Sequence, residues 1–270
     1  MAQPVADVVL ETRGLSRRFG GITATDKVSL RIDRGARHAL IGPNGAGKTT
    51  LVNLLTGVLA PSAGAVLLEG EDITRLAAHR RVARGLVRTF QINQLFAGLT
   101  PLASIAMAAS SRYGQSAGWW RPLGCGRDRR VAECCDRLLA DFHLEEVMNQ
   151  QVAQLPYGKR RLLEIALALA CSPRVLLLDE PVAGVPEGER QQILDTIAAL
   201  PADVTVLLIE HDMDLVFNFA RSVTVLVNGA IFVEGDARAV ATDPRVRAVY
   251  LGEGHEGLPL PAGHGEQRRG

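Results

Sequence analysis

Residues 42 to 49 read GPNGAGKT and satisfy the spacing G-x-x-x-x-G-K-[ST] in full. Glycines at 42, 45 and 47 let a short backbone bend round an anion with its N–H groups turned inward. The preceding RHALI reads as a strand and the following LVNLL suits a helix, so the loop delivers its anion to the positive end of a helix. Lys48 can reach the β- and γ-phosphates of a nucleoside triphosphate, and the Thr49 hydroxyl suits Mg²⁺. Gly42, Pro43, Asn44, Gly45, Ala46, Gly47, Lys48, Thr49 and Thr50 are therefore the candidate triphosphate contacts.

A phosphate cradle alone does not name a reaction. RVLLLDE ends in Asp179 and Glu180, two carboxylates where a buried strand emerges at the carboxyl edge of a sheet, the usual place for ligands in open α/β folds. There Asp179 can support Mg²⁺, directly or through water, and Glu180 can polarise an attacking water. A second apolar strand, within VTVLLIEHD, ends at His211, whose ring can contact the γ-phosphate; the bland reading is an exposed histidine paired with Glu210 or Asp212. Gln91, in VRTFQ, could reach Mg²⁺ or the attacking water from the entry to a helical segment.

Both carboxylate-bearing strands are near-continuous apolar runs, as expected for a parallel sheet covered on both faces, and a helix over 187–200 separates them. Earlier, VVLET, VSLRI, RHALI and AVLLEGEDI read as strands. SVTVLVNGAIFVEG reads as a hairpin with Asn228-Gly229 in a type I′ turn. Between 92 and 172 the pattern turns helical: Thr100-Pro101 offers a cap and a first-turn proline, and 129–142 and 159–171 have helical apolar spacing. YGQSAGWWRPLGCG reads as a surface loop, and the tail from 253 as disordered. HRRVARGLVR, residues 79–88, either assists docking or lipid contact or forms a solvated helix face.

At 270 residues and 47% hydrophobic composition the chain can close a substantial core. Thirty basic against 29 acidic side chains leave a net charge of +1, which offers no field for nucleic acid. The four cysteines show no zinc spacing and MAQPVADVVL no signal sequence, so a reduced, intracellular protein is expected. Apolar runs such as 165–171 stop well short of the ~20 residues of a membrane span, so any membrane role is peripheral.

In this order the elements resemble the nucleotide-binding subunit of an ABC transporter: GPNGAGKT as Walker A, Gln91 as the Q-loop, LPYGKRRLLEIA as the signature, VLLLDE as Walker B and His211 as the switch histidine. FGGITATDKVSL, GLVRTFQ, IEHDMDLV and VYLGE look like the ATP-binding proteins of branched-chain amino acid importers, and importers of amides or urea share much of this. The resemblance implies an α/β P-loop NTPase (ABC ATPase) core with a mostly parallel sheet, an N-terminal antiparallel β subdomain and a helical insert subdomain. One domain over 8–252 is implied, with core 8–91 and 172–252 and helical subdomain 92–171.

It further implies ATP and Mg²⁺ as cofactors, Phe19 stacked on adenine, and Tyr157, Gly158 and Lys159 of the signature facing nucleotide held by a second ATP-binding subunit. Thr49, Gln91 and Asp179 form the implied metal set; Glu180, His211 and Gln91 the implied catalytic set. Integral membrane permease subunits, and indirectly a solute-binding protein, are the implied partners, at the cytoplasmic face of the cell membrane. Two departures stand out: Leu155-Pro156-Tyr157-Gly158-Lys159 lacks the serine and first glycine of LSGGQ, and Pro186 stands where an asparagine is expected. A soluble ABC ATPase of translation or repair and a P-loop small-molecule kinase are the competing readings.

Overall fold

A computed structural model describes residues 7–89, 95–112 and 128–251; Gln91, all of YGQSAGWWRPLGCG and the tail from 253 lie outside the described residues. The chain opens with β1 (Val8–Phe19), β2 (Ile22–Val28) and β3 (Arg31–Asp33), then β4 (Arg37–Ile41), which runs through the glycine loop into α1 (Lys48–Thr56). Next come β5 (Ala63–Leu68), β6 (Glu71–Asp72), α2 (Ala78–Ala83) and β7 (Leu86–Arg88). Helices α3 (Pro101–Arg112), α4 (Arg129–Asp141) and α5 (Tyr157–Ala170) follow. The chain then alternates through β8 (Val175–Asp179), α6 (Glu187–Ala198), β9 (Thr205–Ile209) and α7 (Met213–Phe219). It closes with the hairpin β10 (Ser222–Val227) and β11 (Ala230–Asp236), then α8 (Ala237–Thr242) and α9 (Pro244–Leu251).

Two sheets result. The antiparallel one has order β2-β1-β5-β6, with β3 also paired to β1; the other has order β11-β10-β4-β9-β8-β7 and is parallel except at β11. The apolar run of β8 shows why both faces must be covered. Val175 and Leu177 join a core with α1 and the antiparallel sheet, while Leu176 and Leu178 join a second core built from α3 to α6. Each such fully buried side chain contributes about 1.5–3 kcal/mol relative to exposure. A third cluster sets Ala39, Ile41, Val223 and Val225 against α7, α8 and α9.

Three expectations need correction. VSLRI is divided between β2 and β3, because the Thr12 side chain enters the ladder: its Oγ1 donates to Val28 O at 3.0 Å and accepts from Leu30 N at 2.8 Å. AVLLEGEDI is two strands, since Glu69 (φ 50°) and Gly70 (φ 79°) turn the chain back on itself. The stretch 79–88 is not one solvated helix: it leaves the helical form after Ala83, passes Gly85 at φ 94° and ends as a strand.

Arg80 is exposed, but the other three arginines of this stretch are engaged: Arg84 pairs with Glu71 at 3.0 Å, Arg88 pairs with Asp179, and Arg81 is buried. Arg81 is 1% exposed and donates from Nη1 to Leu54 O (2.8 Å) and Leu55 O (2.6 Å), from Nη2 to Thr74 O (2.8 Å) and from Nε to Leu76 O (3.0 Å). It thus adds donors to carbonyls at the end of α1, where Leu54 O otherwise has only the Gly57 N–H at 3.4 Å, and puts a cation at the negative end of that helix. Arg81→Leu would strand those acceptors in the core; we expect a loss of about 3 kcal/mol in urea denaturation, and a loss below about 1 kcal/mol would remove this role.

Candidate functional site

The glycine loop begins where β4 stops. Gly42 has φ 153°, and a Cβ there would lie 2.2 Å from Leu226 O; Gly47 has φ 98°, and its Cβ would lie 2.4 Å from Ala24 O. Neither position admits another residue, because the obstacle is backbone on both sides. Ala46 O accepts from Gly229 N at 2.9 Å, and Gly229 O accepts from Asp26 N at 2.8 Å, so the loop is stitched to the β10–β11 turn and to β2. That turn has Asn228 at φ 50° and Gly229 at φ 79°, the type I′ geometry expected of Asn-Gly.

Past Gly47 the helix starts with no side-chain cap, leaving first-turn N–H groups without intrahelical acceptors. Lys48 folds back, its Nζ donating to Gly42 O and, at 3.0 Å, to Pro43 O. Asn44, Gly45 and Thr49 are exposed, Pro43 and Thr50 half-buried, and Ala46 is buried. The result is a cradle lined by main-chain donors with a cation across its mouth, which suits a polyphosphate.

Three neighbouring parallel strands, β4, β9 and β8, point their carboxyl ends at this cradle's edge of the sheet, with Leu40 and Asp179 each in register with Ile209. Asp179 ends β8 and accepts an ion pair from Arg88 Nη2, whose Nη1 donates to Asn53 Oδ1 of α1 at 2.9 Å. Arg88 thus ties the strand-end carboxylate to the helix that follows the cradle. Glu180, next in line, adopts a left-handed φ of 47°, and its N–H donates to Ile209 O at 2.9 Å. The turn leaves its carboxylate 47% exposed at the mouth of the cleft.

His211 follows β9 and precedes α7, whose start is capped by Asp212 Oδ1 accepting from Leu215 N at 3.2 Å. Its Nδ1 lies 3.6 Å from Glu180 Oε1 and 3.7 Å from Glu210 Oε2. Glu210 is buried and takes the His211 N–H at 3.0 Å; burial pushes its carboxyl above the ordinary range, and Oε1 has no hydrogen-bond partner among the described residues. Glu180 and His211 are therefore brought together; Gln91 lies outside the described residues. Phe19 ends β1 45% exposed, with the Arg17 guanidinium 4.6 Å from its ring centroid. It stands at the tip of the hairpin whose second strand passes Gly47.

The segment Leu155–Lys159 is not part of this cluster. Leu155 and α5 belong to the core on the opposite face of the sheet from α1. Pro156 is the N-cap of α5, Tyr157 Oη donates to Ala183 O at 3.0 Å, Gly158 N donates to Glu189 Oε2 at 2.8 Å, and Lys159 Nζ donates to His143 O at 2.7 Å. Within one chain Tyr157 and Gly158 face the segment after Glu180 and Lys159 faces His143, not the triphosphate cradle.

Arg88, Asn53 and Glu189 are the neighbours to which sequence reading assigns no place at the site. Only Arg88 carries a signal, a lone cation closing the apolar run before Gln91. Among the described residues no group of three or more His, Cys, Asp or Glu side chains could hold a metal ion, and no helix is long and apolar enough to cross a membrane. Cys134 and Cys171 are free thiols.

A sheet edge that joins a P-loop, a carboxylate pair and a histidine defines a nucleotide-hydrolysing cassette. The chain belongs to the ABC transporter family, whose sequence profile matches residues 25–183. It is an ATP-binding, ATP-hydrolysing subunit of such a transporter, which leaves the kinase reading without support. The high-affinity branched-chain amino acid transport ATP-binding protein BraF of Pseudomonas aeruginosa is 38% identical over 91% of this chain and 98% of its own. The corresponding LivG of Escherichia coli is 36% identical over 94% of this chain and 100% of its own. The cassette MJ1267 of an ABC transporter, in its ADP conformation, matches with a TM-score of 0.79 at 31% identity, over 91% of this chain and 99% of that one.

One buried acid gives a pH signature. Glu164 of α5 is 1% exposed; burial raises its carboxyl from 4.5 to about 7, against the lowering influence of Arg161, whose Nη1 donates to it at 2.9 Å. The folded chain holds this proton more tightly than the unfolded one, so the contribution is full at low pH and is lost as pH rises from 4.5 to about 7. Denaturation at about pH 5 and about pH 8 should show a fall on the order of 3 kcal/mol from this group, absent in Glu164→Gln; equal slopes in both chains would exclude it.

Proposed function

We propose that this chain energises the import of branched-chain amino acids through integral membrane permease subunits, working at the cytoplasmic face of the cell membrane with a second ATP-binding subunit. What carries the reading is the convergence of β4, β9 and β8, which sets the glycine cradle, His211 and the Asp179-Glu180 pair along one sheet edge. Support for the solute comes from the names of BraF and LivG, which match this chain over nearly their full lengths. Amides or urea are the alternative cargo. A solute-binding protein enters indirectly, through the permease, and no role with nucleic acid is proposed.

On this reading the triphosphate lies across the amides of Gly42 to Thr50, with Lys48 turning from its carbonyl partners to the β- and γ-phosphates. Adenine stacks on the exposed face of Phe19. Oxygen donors fit Mg²⁺: Thr49 Oγ1 at the first turn of α1 and the Asp179 carboxylate, with Gln91 as the third member. When bound, Mg²⁺ neutralises charge on the β- and γ-phosphates and fixes their orientation. Glu180 orients a water and draws on its proton, and His211, 3.6 Å from Glu180, presents its ring to the γ-phosphate. Positioning and charge neutralisation supply most of the rate.

The opposite placement of α1 and α5 supports a pair of chains, in which the leading end of α5 from one closes over nucleotide held by the other. Opening and closing of that pair is the movement passed to the permease through the surface near 92–120. Glu180→Gln keeps the shape and removes the base, so nucleotide affinity should persist while phosphate release falls at least about a hundredfold. A near-normal rate would end Glu180's assignment. Phe19→Ala should weaken ATP binding by about 1 kcal/mol, roughly fivefold in Kd by titration, and unchanged affinity would place adenine elsewhere. Vesicles reconstituted with the permease partners test the cargo: uptake of leucine supports the proposal, and uptake of urea or an amide instead replaces it.

A further inference from the structure

The leading end of α5 has an unusual cap. Pro156 at the N-cap has no side-chain acceptor to offer the first-turn N–H groups, and none is supplied locally. Gly158 is buried, so bulk water does not serve its N–H either. Instead, Glu189 reaches across from the first turn of α6 and accepts from Gly158 N at 2.8 Å. A Cβ on residue 158 would lie 2.2 Å from Glu189 Oε2 and 3.3 Å from Glu189 Cβ. Any side chain at 158 would meet the Glu189 carboxylate first and would have to push that flexible side chain aside.

The surrounding contacts make one body of α5 and the segment after Glu180. Tyr157 Oη donates to Ala183 O at 3.0 Å, Arg161 Nη2 donates to the same oxygen at 3.3 Å, and Gly184, at φ 71°, has room for no Cβ beyond 2.9 Å from Tyr157 Oη. The start of α5 therefore already holds an anion, delivered by its own chain.

We propose that Glu189 is the positioning residue of α5: it caps the helix in place of Pro156 and must withdraw from the Gly158 N–H before a triphosphate presented by a second copy can take that donor. This rests on the paired reading above. One N–H cannot serve a carboxylate and a phosphate together, and two anions at that distance repel each other. Glu189 thereby sets how much ATP is needed for closure, while holding α5 and the 181–189 segment in register when no nucleotide is across from them.

The test compares Glu180→Gln alone with Glu180→Gln carrying Glu189→Gln or Glu189→Ala. Thermal melts are taken without nucleotide, and ATP-dependent dimerisation is followed by light scattering. The carboxamide of E189Q still accepts from Gly158 but carries no charge. Its melting temperature should stay within about 1 °C of the parent, and its ATP midpoint for dimerisation should fall at least roughly fivefold. E189A, which also removes the acceptor, should melt about 2–4 °C lower and still dimerise at less ATP than the parent, so either variant that folds decides the matter. A folded variant whose midpoint equals the parent's would reduce Glu189 to a plain cap and overturn the proposal. A parent that stays monomeric at every ATP concentration overturns the paired reading itself, and this proposal with it.

Discussion

Backbone pressed on backbone at Gly42 and Gly47 is the constraint from which the rest of the site follows. With Leu226 O against one glycine and Ala24 O against the other, the cradle is held between the β10–β11 hairpin and β2. The antiparallel sheet is therefore part of the candidate nucleotide site: move β2 and the floor of the loop goes with it. Arg81 completes the arrangement from the far end of α1, where it binds the Leu54 and Leu55 carbonyls. One helix is thus fixed at both termini by groups that α1 itself does not contain.

Alternation along β8 divides the molecule's chemistry between two faces. Val175 and Leu177 look toward α1, Leu176 and Leu178 toward α5, and only the carboxyl end of the strand belongs to both halves. Asp179 and Glu180 sit at that point. A chain built this way offers two helix starts that cannot meet over one ligand, because a sheet lies between them. Pairing of two chains, proposed above, is the arrangement that lets both serve.

How much of this could be read from the residues depended on the distance over which each cause acts. The cradle, the Asn228-Gly229 turn and the buried strands β8 and β9 were legible because their signals are local: glycine spacing, a two-residue turn, an unbroken apolar run. Thr12 was not, since a threonine inside a strand pattern gives no hint that its hydroxyl will bond Val28 and Leu30 and split the partner strand. Arg81 and Arg88 looked like surface charge for the same reason. Arg81 binds carbonyls, which no sequence pattern marks, and Arg88 meets an aspartate 91 residues away. Glu189 reaches Gly158 over 31 residues, from a segment whose composition suggested only an ordinary helix start.

The departures of the 155–159 segment from its family pattern become intelligible once α6 is included. With proline where a serine would cap, α5 needs an acceptor from elsewhere, and Glu189 supplies one. With tyrosine in place of glycine, the helix gains a hydroxyl that reaches Ala183 O, on the first turn beyond Glu180. The substitutions thus move the support of α5 from its own sequence to the segment that begins at the proposed general base. Glu180 is held in its left-handed turn by the Ile209 carbonyl, Ala183 N bonds back to Glu180 O at 3.1 Å, and Tyr157 and Arg161 grip Ala183 O from the other side. A displacement at the hydrolytic edge has therefore a short, hydrogen-bonded route to the helix start on the opposite face. In the pair of chains proposed above that helix start would face the other nucleotide, and the state of one site would bear mechanically on the closure of its neighbour.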